Sequence, residues 1–151
     1  MNDDFLIRKA FLENKEYEKA LYKFQAGNEI LEKLHGRYSI HSANCYVCMA
    51  QMRYKMKNYV QAVDLYEIAL DIYINLLGTA HLYTYRICLN LLYLGFVLKD
   101  THKIDFFEKK LVRTLGDQTN HNAFIIYNEI GNIFRKNHKF KQALNYYFRS
   151  M

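Results

Sequence analysis

A repeated template of small and aromatic residues constrains the fold of this chain more than any other feature of its sequence. The template reads aromatic, two residues, alanine, three residues, aromatic, two residues, small residue, and it occurs at 17–27, 59–70 and 140–150. Its alanine is Ala20 in the first copy, Ala62 in the second and Ala143 in the third. Because the second step is about twice as long as the first, a fourth and divergent copy is expected near 101–111. Units of this length are typical of stacked helical repeats.

A second apolar stretch precedes each copy, so each unit is predicted to be a helical hairpin. Gly131 and Ala143 are separated by the same distance in sequence as Ala50 and Ala62. Small side chains at these points let two helices approach closely, and the aromatic side chains fill the space beside them. We therefore predict an all-α fold of eight helices in four hairpins, forming a single repeat domain over 1–151. The first helices are expected at 3–14, 40–56, 82–99 and 121–136, and the units at about 1–36, 40–78, 82–116 and 121–151.

Composition agrees with a soluble, helical, intracellular protein. The 151 residues include no proline and six glycines, and 51% are hydrophobic, which argues against a disordered or loop-rich chain. Charges interrupt the start of the sequence, and no apolar run is long enough to cross a bilayer, so neither a secretion signal nor a membrane span is expected. Three cysteines without a framework spacing favour a reducing compartment, and we predict a cytoplasmic location.

The last hairpin resembles the tetratricopeptide repeat (TPR). Residues 127–147 follow that signature with Tyr127, Ile130, Gly131 and Phe134 in the first helix. The junctions "LHGRYSIHSA", "LLGTAHLYT" and "LGDQTNHNA" add an evenly spaced histidine (His41, His81 and His121), similar to the long repeats of kinesin light chains and LGN-type adaptors. Arg8 and Arg53 depart from the pattern, at a glycine and a tyrosine position. The resemblance implies a right-handed superhelix, or α-solenoid, acting as a scaffold or adaptor.

Residues that could carry chemistry are few. His41, Cys45 and Cys48 share a helix face at i, i+4 and i+7, but a structural zinc needs a fourth ligand, so packing or groove lining is the preferred interpretation. The junction histidines are expected to be structural, for example by capping the preceding helix. No phosphate-binding loop and no GxSxG or HExxH motif occurs. We predict that the chain is not an enzyme and has no catalytic residue, cofactor or metal.

The family resemblance also implies a partner-binding groove on the concave wall, which the first helix of each unit would form. Asparagine and glutamine could hold the backbone of an extended peptide or helix, while lysine and arginine would favour an acidic partner. The implied groove residues are Lys9, Asn44, Cys48, Gln51, Tyr54, Lys55, Asn90, Tyr93, Asn128, Asn132, Arg135 and Lys136.

Two other functions remain open: a structural subunit or spacer of a larger assembly, and an RNA-binding repeat. The net charge of +6 invites the second, but the basic residues are spread along the chain, so nucleic acid is disfavoured. The consecutive aromatic residues at 146–148 cannot all be buried within their own hairpin. This leads us to expect a longer solenoid, a truncated product, or end-to-end self-association.

Overall fold

The computed structural model describes the backbone of residues 2–116 and 121–151, and the side chains of residues 6–116 and 122–151. In these ranges the protein contains seven α-helices and no strand, which confirms the all-α prediction. The helices are α1 (Asn2–His35), α2 (Ile40–Lys55), α3 (Tyr59–Leu77), α4 (Leu82–Val97), α5 (Thr101–Leu115), α6 (His121–Lys136) and α7 (Phe140–Arg149).

The turns between α2 and α3, α4 and α5, and α6 and α7 share one geometry. Lys57, Lys99 and His138 each have a positive φ of 55 to 63°, in the left-handed region that usually favours glycine. The next residue of each turn donates its N–H to a carbonyl five positions earlier, as Lys139 does to Phe134 at 2.9 Å. This pattern is the Schellman motif, which ends a helix and reverses the chain within a short turn.

The first predicted hairpin does not form, because α1 is one continuous helix of 34 residues. The expectation of eight helices was therefore wrong for this part of the chain. By the spacing of the template, Lys15 takes the place of Lys57, yet it lies inside α1. The segment around it, "LENKEYEKAL", contains no glycine or proline and consists mainly of good helix formers. A straight helix satisfies every backbone group there without a left-handed residue.

The shared turn also sets the register of the divergent third copy. Lys99 and His138 hold the same left-handed turn position, so Gly95, four before Lys99, corresponds to Phe134, four before His138. By the same register Ile104 corresponds to Ala143. A Cβ atom added to Gly95 would lie 3.1 Å from Cγ1 of Ile104. At these two positions the small residue is on the first helix and the large one on the second, whereas the last hairpin has the large Phe134 on the first helix and the small Ala143 on the second.

The chain forms two compact units, residues 1–76 and 77–151, each with its own core. In the first unit α1 packs against α2, and the buried Ser42 hydroxyl donates to Asn28 at 2.7 Å. Ala50 and Ala62 are both fully buried, as the predicted close approach of α2 and α3 requires. The single domain expected over 1–151, with its four units, stays a prediction.

In the second unit α4 pairs with α5, α6 pairs with α7, and α4 also contacts α6. The rings of Phe96 and Phe134 meet edge to face, with 5.2 Å between their centroids, and join α4 to α6. Gly131 faces the ring of Tyr147 so closely that a Cβ atom would lie 2.7 Å from it. Leu91, Ile130 and Phe134 are almost completely buried. This packing holds α4 and α6 side by side.

Candidate protein-binding surfaces

The predicted groove residues of α2 form a polar stripe along one side of that helix. Asn44, Cys48, Gln51 and Lys55 follow each other at intervals of four, three and four positions, which is the spacing of one helix face. Cys48 is half-buried, and the side chains of Asn44, Gln51 and Lys55 are exposed. Tyr54 lies beside the stripe, with its ring 5.6 Å from that of Tyr59 on α3. We call Asn44, Cys48, Gln51 and Lys55 the α2 stripe.

Helix α6 carries a second stripe with a similar order of residue types. Asn128, Asn132 and Arg135 follow at intervals of four and three positions, with Lys136 beside the last of them. Asn132 is half-buried, and the others are exposed. In both stripes the amides come first and the cations lie in the last helical turn. Cations at that end are stabilised by the helix dipole. We call Asn128, Asn132, Arg135 and Lys136 the α6 stripe.

Tyr147, on α7, connects two members of the α6 stripe. Its hydroxyl donates to Oδ1 of Asn132 at 2.6 Å and accepts from Nε of Arg135 at 3.3 Å. The sequence pattern identified Tyr147 only as a packing residue. The residue type could have indicated this bridge, because phenylalanine would pack equally well but has no hydroxyl to bridge an amide and a guanidinium.

A comparable contact supports the α2 stripe from α3. The Tyr73 hydroxyl donates to Oδ1 of Asn44 at 2.5 Å. Asn44 and Asn132 therefore both use their amide oxygen inside the protein. Each oxygen accepts one of its two possible hydrogen bonds from a tyrosine, and the NH₂ group of each amide only donates. Together with the nearby cations, these amides give the two stripes donor character.

The remaining predicted groove residues lie in different surroundings. Asn90 is exposed and Tyr93 half-buried on α4, the neighbour of α6, so these two belong to the same unit as the α6 stripe. Lys9 is exposed in the first half of α1, within a stretch, residues 6–16, whose side chains are all exposed. Because the first hairpin is absent, Lys9 does not sit on a separate first helix, as its assignment to the groove assumed. The groove itself stays a prediction for all twelve residues.

The three cysteines lie in ordinary packing positions. All are free thiols; Cys88 is buried, whereas Cys45 and Cys48 are half-buried. Burial raises the pKa of Cys88 to about 11, and burial followed by the neighbouring Cys48 raises the pKa of Cys45. Raised thiol pKa values oppose nucleophilic chemistry. Within the described residues, no group of three or more histidine, cysteine or acidic side chains could hold a metal ion.

The junction histidine His81 has a role different from the expected one. Its Nδ1 accepts the N–H of Tyr83 at 3.1 Å, so it caps the start of α4 instead of the end of α3. At the preceding junction Ser39 performs this capping for α2, while His41 is exposed and lies near His35, with 6.2 Å between the ring centroids. The side chain of His121 lies outside the described residues. Where the histidine can be seen, equal spacing does not mean equal function.

Comparison with known proteins identifies the fold and no closer relationship. No protein-family model and no curated protein matches the sequence. The crystal structure of BtubC (BKLC) from P. vanneervenii, a TPR-like solenoid, matches with a TM-score of 0.69 and 16% sequence identity. The match covers 90% of this chain and 56% of that one, so this chain spans little more than half of its structural neighbour. The prediction of a TPR-like helical repeat fold is confirmed.

Among the described residues, no helix combines the length and the apolar character that crossing a membrane requires.

Proposed function

We propose that the chain is a non-catalytic scaffold that binds acidic segments of a partner protein through the α2 and α6 stripes. The observation that carries this proposal is the Tyr147 bridge, whose hydroxyl holds the Asn132 amide and the Arg135 guanidinium together, next to Lys136. A surface that offers donors and cations is complementary to carboxylates and to backbone carbonyl groups. The TPR-like fold supports a scaffold role, and the three free thiols suit the reducing cytoplasm.

The arrangement of charge supports a peptide over a small anion. The α2 stripe rises over about three helical turns and the α6 stripe over about two, in each case from an asparagine to a cation in the last turn. Three turns correspond to roughly 16 Å, the length of about five extended residues, and two turns to roughly 11 Å, the length of about three. A partner segment with backbone carbonyls along the amides and a carboxylate near the cation would engage such a stripe over its whole length.

The proposal is tested with fluorescein-labelled peptides of about ten residues in an acidic library and a basic library, read by fluorescence anisotropy. We expect acidic sequences to bind. Exchanging Lys55 and Arg135 for glutamate should raise the dissociation constant of the best of them at least tenfold. The control is Lys109→Glu, because Lys109 is an exposed lysine of α5 that pairs with Asp105 at 2.9 Å, on neither stripe. It should change the dissociation constant less than twofold.

Two results would contradict this function. Equal losses for Lys109→Glu and for the stripe variants would show that general charge, not the stripes, attracts the peptides. Stronger binding of oligouridine than of any acidic peptide, with affinity that falls steeply as salt rises, would favour the RNA-binding function. If no probe of either kind binds while helicity is intact, a structural spacer would remain.

A further inference from the structure

The net charge of the chain lies in the second unit, residues 77–151. Residues 1–76 contain ten basic and ten acidic residues, whereas residues 77–151 contain eleven basic and five acidic ones, so the whole net charge of +6 belongs to the second unit. Two short ranges, 99–103 and 135–141, hold six of these basic residues and a single acidic residue, Asp100, a charge of +5 in twelve residues. Most of the net charge is therefore concentrated in two turns.

The fold brings these two turns together at one end of the second unit. The rings of Phe96 and Phe134, each close to the end of its helix, are in contact, so the last turns of α4 and α6 are adjacent. The Tyr146 hydroxyl donates to Glu108, and these are the seventh residue of α7 and the eighth of α5, so both helices start at the same end of the unit. Helices that pack side by side have axes about 8–10 Å apart, and the two turns are expected to be separated by about that distance.

Three lysines at this end of the unit are exposed and have no acidic partner. They are Lys99, Lys139 and Lys141, which we call the basic edge. Among the residues that the structure describes, no carboxylate pairs with any of the three. Asp100, the acidic residue of the two turns, caps the start of α5 by accepting the N–H of Lys103 at 3.2 Å. The charge of the basic edge is therefore available to a ligand.

Two members of the basic edge occupy an unfavourable electrostatic position. Lys139 is the N-cap residue of α7, and Lys141 lies in its first turn, which contains no acidic residue. The helix dipole disfavours cations at this end of a helix, whereas it favours the cations in the last turn of α6. An anion held over the two lysines would offset the unfavourable interaction. Their position thus favours a role in binding over a role in helix stability.

The basic edge continues the α6 stripe. That stripe ends in Arg135 and Lys136, in the last turn of α6, and the chain then reverses at His138 and enters α7 after Lys139. A partner segment that lies along the stripe and places a carboxylate at Arg135 therefore runs on towards the basic edge. Beyond that point it meets three further exposed lysines. One carboxylate is too few to match them.

We propose that the second unit binds partner segments in which a run of consecutive acidic residues adjoins the part that lies on the α6 stripe, and that the basic edge holds this run. The inference rests on the proposed function of the stripe and specifies its partner more closely. Four extended residues span about 13 Å, enough to reach from one turn to the other. In the first unit the α2–α3 turn has no second turn of this kind beside it, because the first hairpin does not form. The α2 stripe therefore has no comparable edge.

The test uses three fluorescein-labelled peptides of ten residues and equal composition, with four glutamates and six glycine, serine or asparagine residues, read by fluorescence anisotropy. In two of them the glutamates form a block, at one end or the other, and in the third they are evenly spaced. The better block peptide should bind wild-type protein about fivefold or more tightly than the spaced peptide, because several exposed charge pairs each add a small contribution. The difference should shrink as salt rises.

A double variant, Lys139→Gln with Lys141→Gln, removes two charges from the basic edge. It should abolish most of the advantage of the block peptide and change the dissociation constant of the spaced peptide less than twofold. Its Tm should not fall, because both lysines are exposed and the helix dipole disfavours them. The matched control is Lys109→Gln with Arg113→Gln, which removes two charges from exposed positions in the second half of α5. It should leave the advantage of the block peptide unchanged.

The outcomes separate this inference from the function of the stripes. If block and spaced peptides bind wild-type protein equally and both lose affinity in Arg135→Glu, the basic edge holds no acidic run, although the stripe function stands. Equal effects of the two double variants would show attraction by general charge and overturn the inference. Oligouridine that binds more tightly than the block peptide and loses affinity in the Lys139→Gln, Lys141→Gln variant would assign the edge to nucleic acid instead. If no peptide binds, both proposals fail.

Discussion

Replacing Gly131 by alanine tests the close approach of α6 and α7. The new Cβ would lie 2.7 and 2.8 Å from two ring carbons of Tyr147, distances that real Cβ contacts do not show. The ring has little freedom to move, because its hydroxyl donates to Asn132 at 2.6 Å and accepts from Arg135 at 3.3 Å. Either the two helices separate or the Tyr147 bridge breaks.

The size of the effect follows from two opposing terms. Alanine is a better helix former than glycine by about 1 kcal/mol. Overpacking a tight contact costs about 1–3 kcal/mol. The net expectation is a destabilisation of about 1 kcal/mol, or a fall in Tm of about 2–4 °C for a chain of this size. Gly27 is the matched control, because it is helical and, apart from its own helix backbone and chain neighbours, no atom lies within 4 Å of its added Cβ. Gly27→Ala should stabilise by about 0.5–1 kcal/mol.

Thermal and urea unfolding followed by circular dichroism measure both variants, and the sign of each change matters more than its size. In a Tyr147→Ala background the ring is gone, so Gly131→Ala should become stabilising. If Gly131→Ala stabilises the wild-type chain as much as Gly27→Ala does, the close contact between the helices does not exist.

Two further predictions concern the turns and the buried thiol. Lys99→Gly should stabilise the fold by about 0.5–1 kcal/mol, because glycine adopts the left-handed conformation without strain. Lys15→Gly, in the middle of α1, should destabilise it by about 1 kcal/mol. Urea unfolding compares the two variants, and changes of the same sign in their unfolding free energies would contradict the difference between the two sites. Burial raises the pKa of Cys88 from 9.0 to about 11, so the stability that the neutral thiol contributes is fully present below pH 9 and is lost as pH rises through 11. The loss of unfolding free energy at pH 10 is about 1.4 kcal/mol. Cys88→Ala should therefore reduce the fall in unfolding free energy between pH 8 and pH 10, and an unchanged fall would refute the assignment.

Small and aromatic residues at fixed spacing were sufficient to predict the hairpins of α2 with α3 and of α6 with α7, whereas the hairpin of α4 with α5 was expected from the doubled spacing between copies. Ala62 and Ala143 are buried as expected, since a small side chain at a helix contact has few other reasons to recur at the same offset. The continuity of α1 could not be read in this way. Lysine occupies the turn position at 15, 57 and 99 alike, yet only the last two adopt a left-handed conformation.

The residue after each lysine partly indicates whether the helix ends there or continues. Asp100 accepts the N–H of Lys103 at 3.2 Å and so caps the start of α5, and Asn58 is of a type that also caps well. Glu16, after Lys15, favours a continuing helix instead. The support of the α2 and α6 stripes was harder to predict, because Tyr73 and Tyr147 reach them from partner helices 29 and 15 residues away in sequence.

The exchange of sizes in the third hairpin limits how this repeat can change during evolution. Gly95 makes room for Ile104, and the equivalent positions of the last hairpin hold Phe134 and Ala143. Neither arrangement reaches the other by one substitution. A large residue at both positions would force the helices apart, whereas a small residue at both leaves a cavity that the fold can survive. A change from one arrangement to the other is therefore expected to pass through small residues at both positions. From there, a large residue is tolerated at only one of the two positions. The summed volume of the two side chains is therefore a better measure of this constraint than the size of either side chain alone.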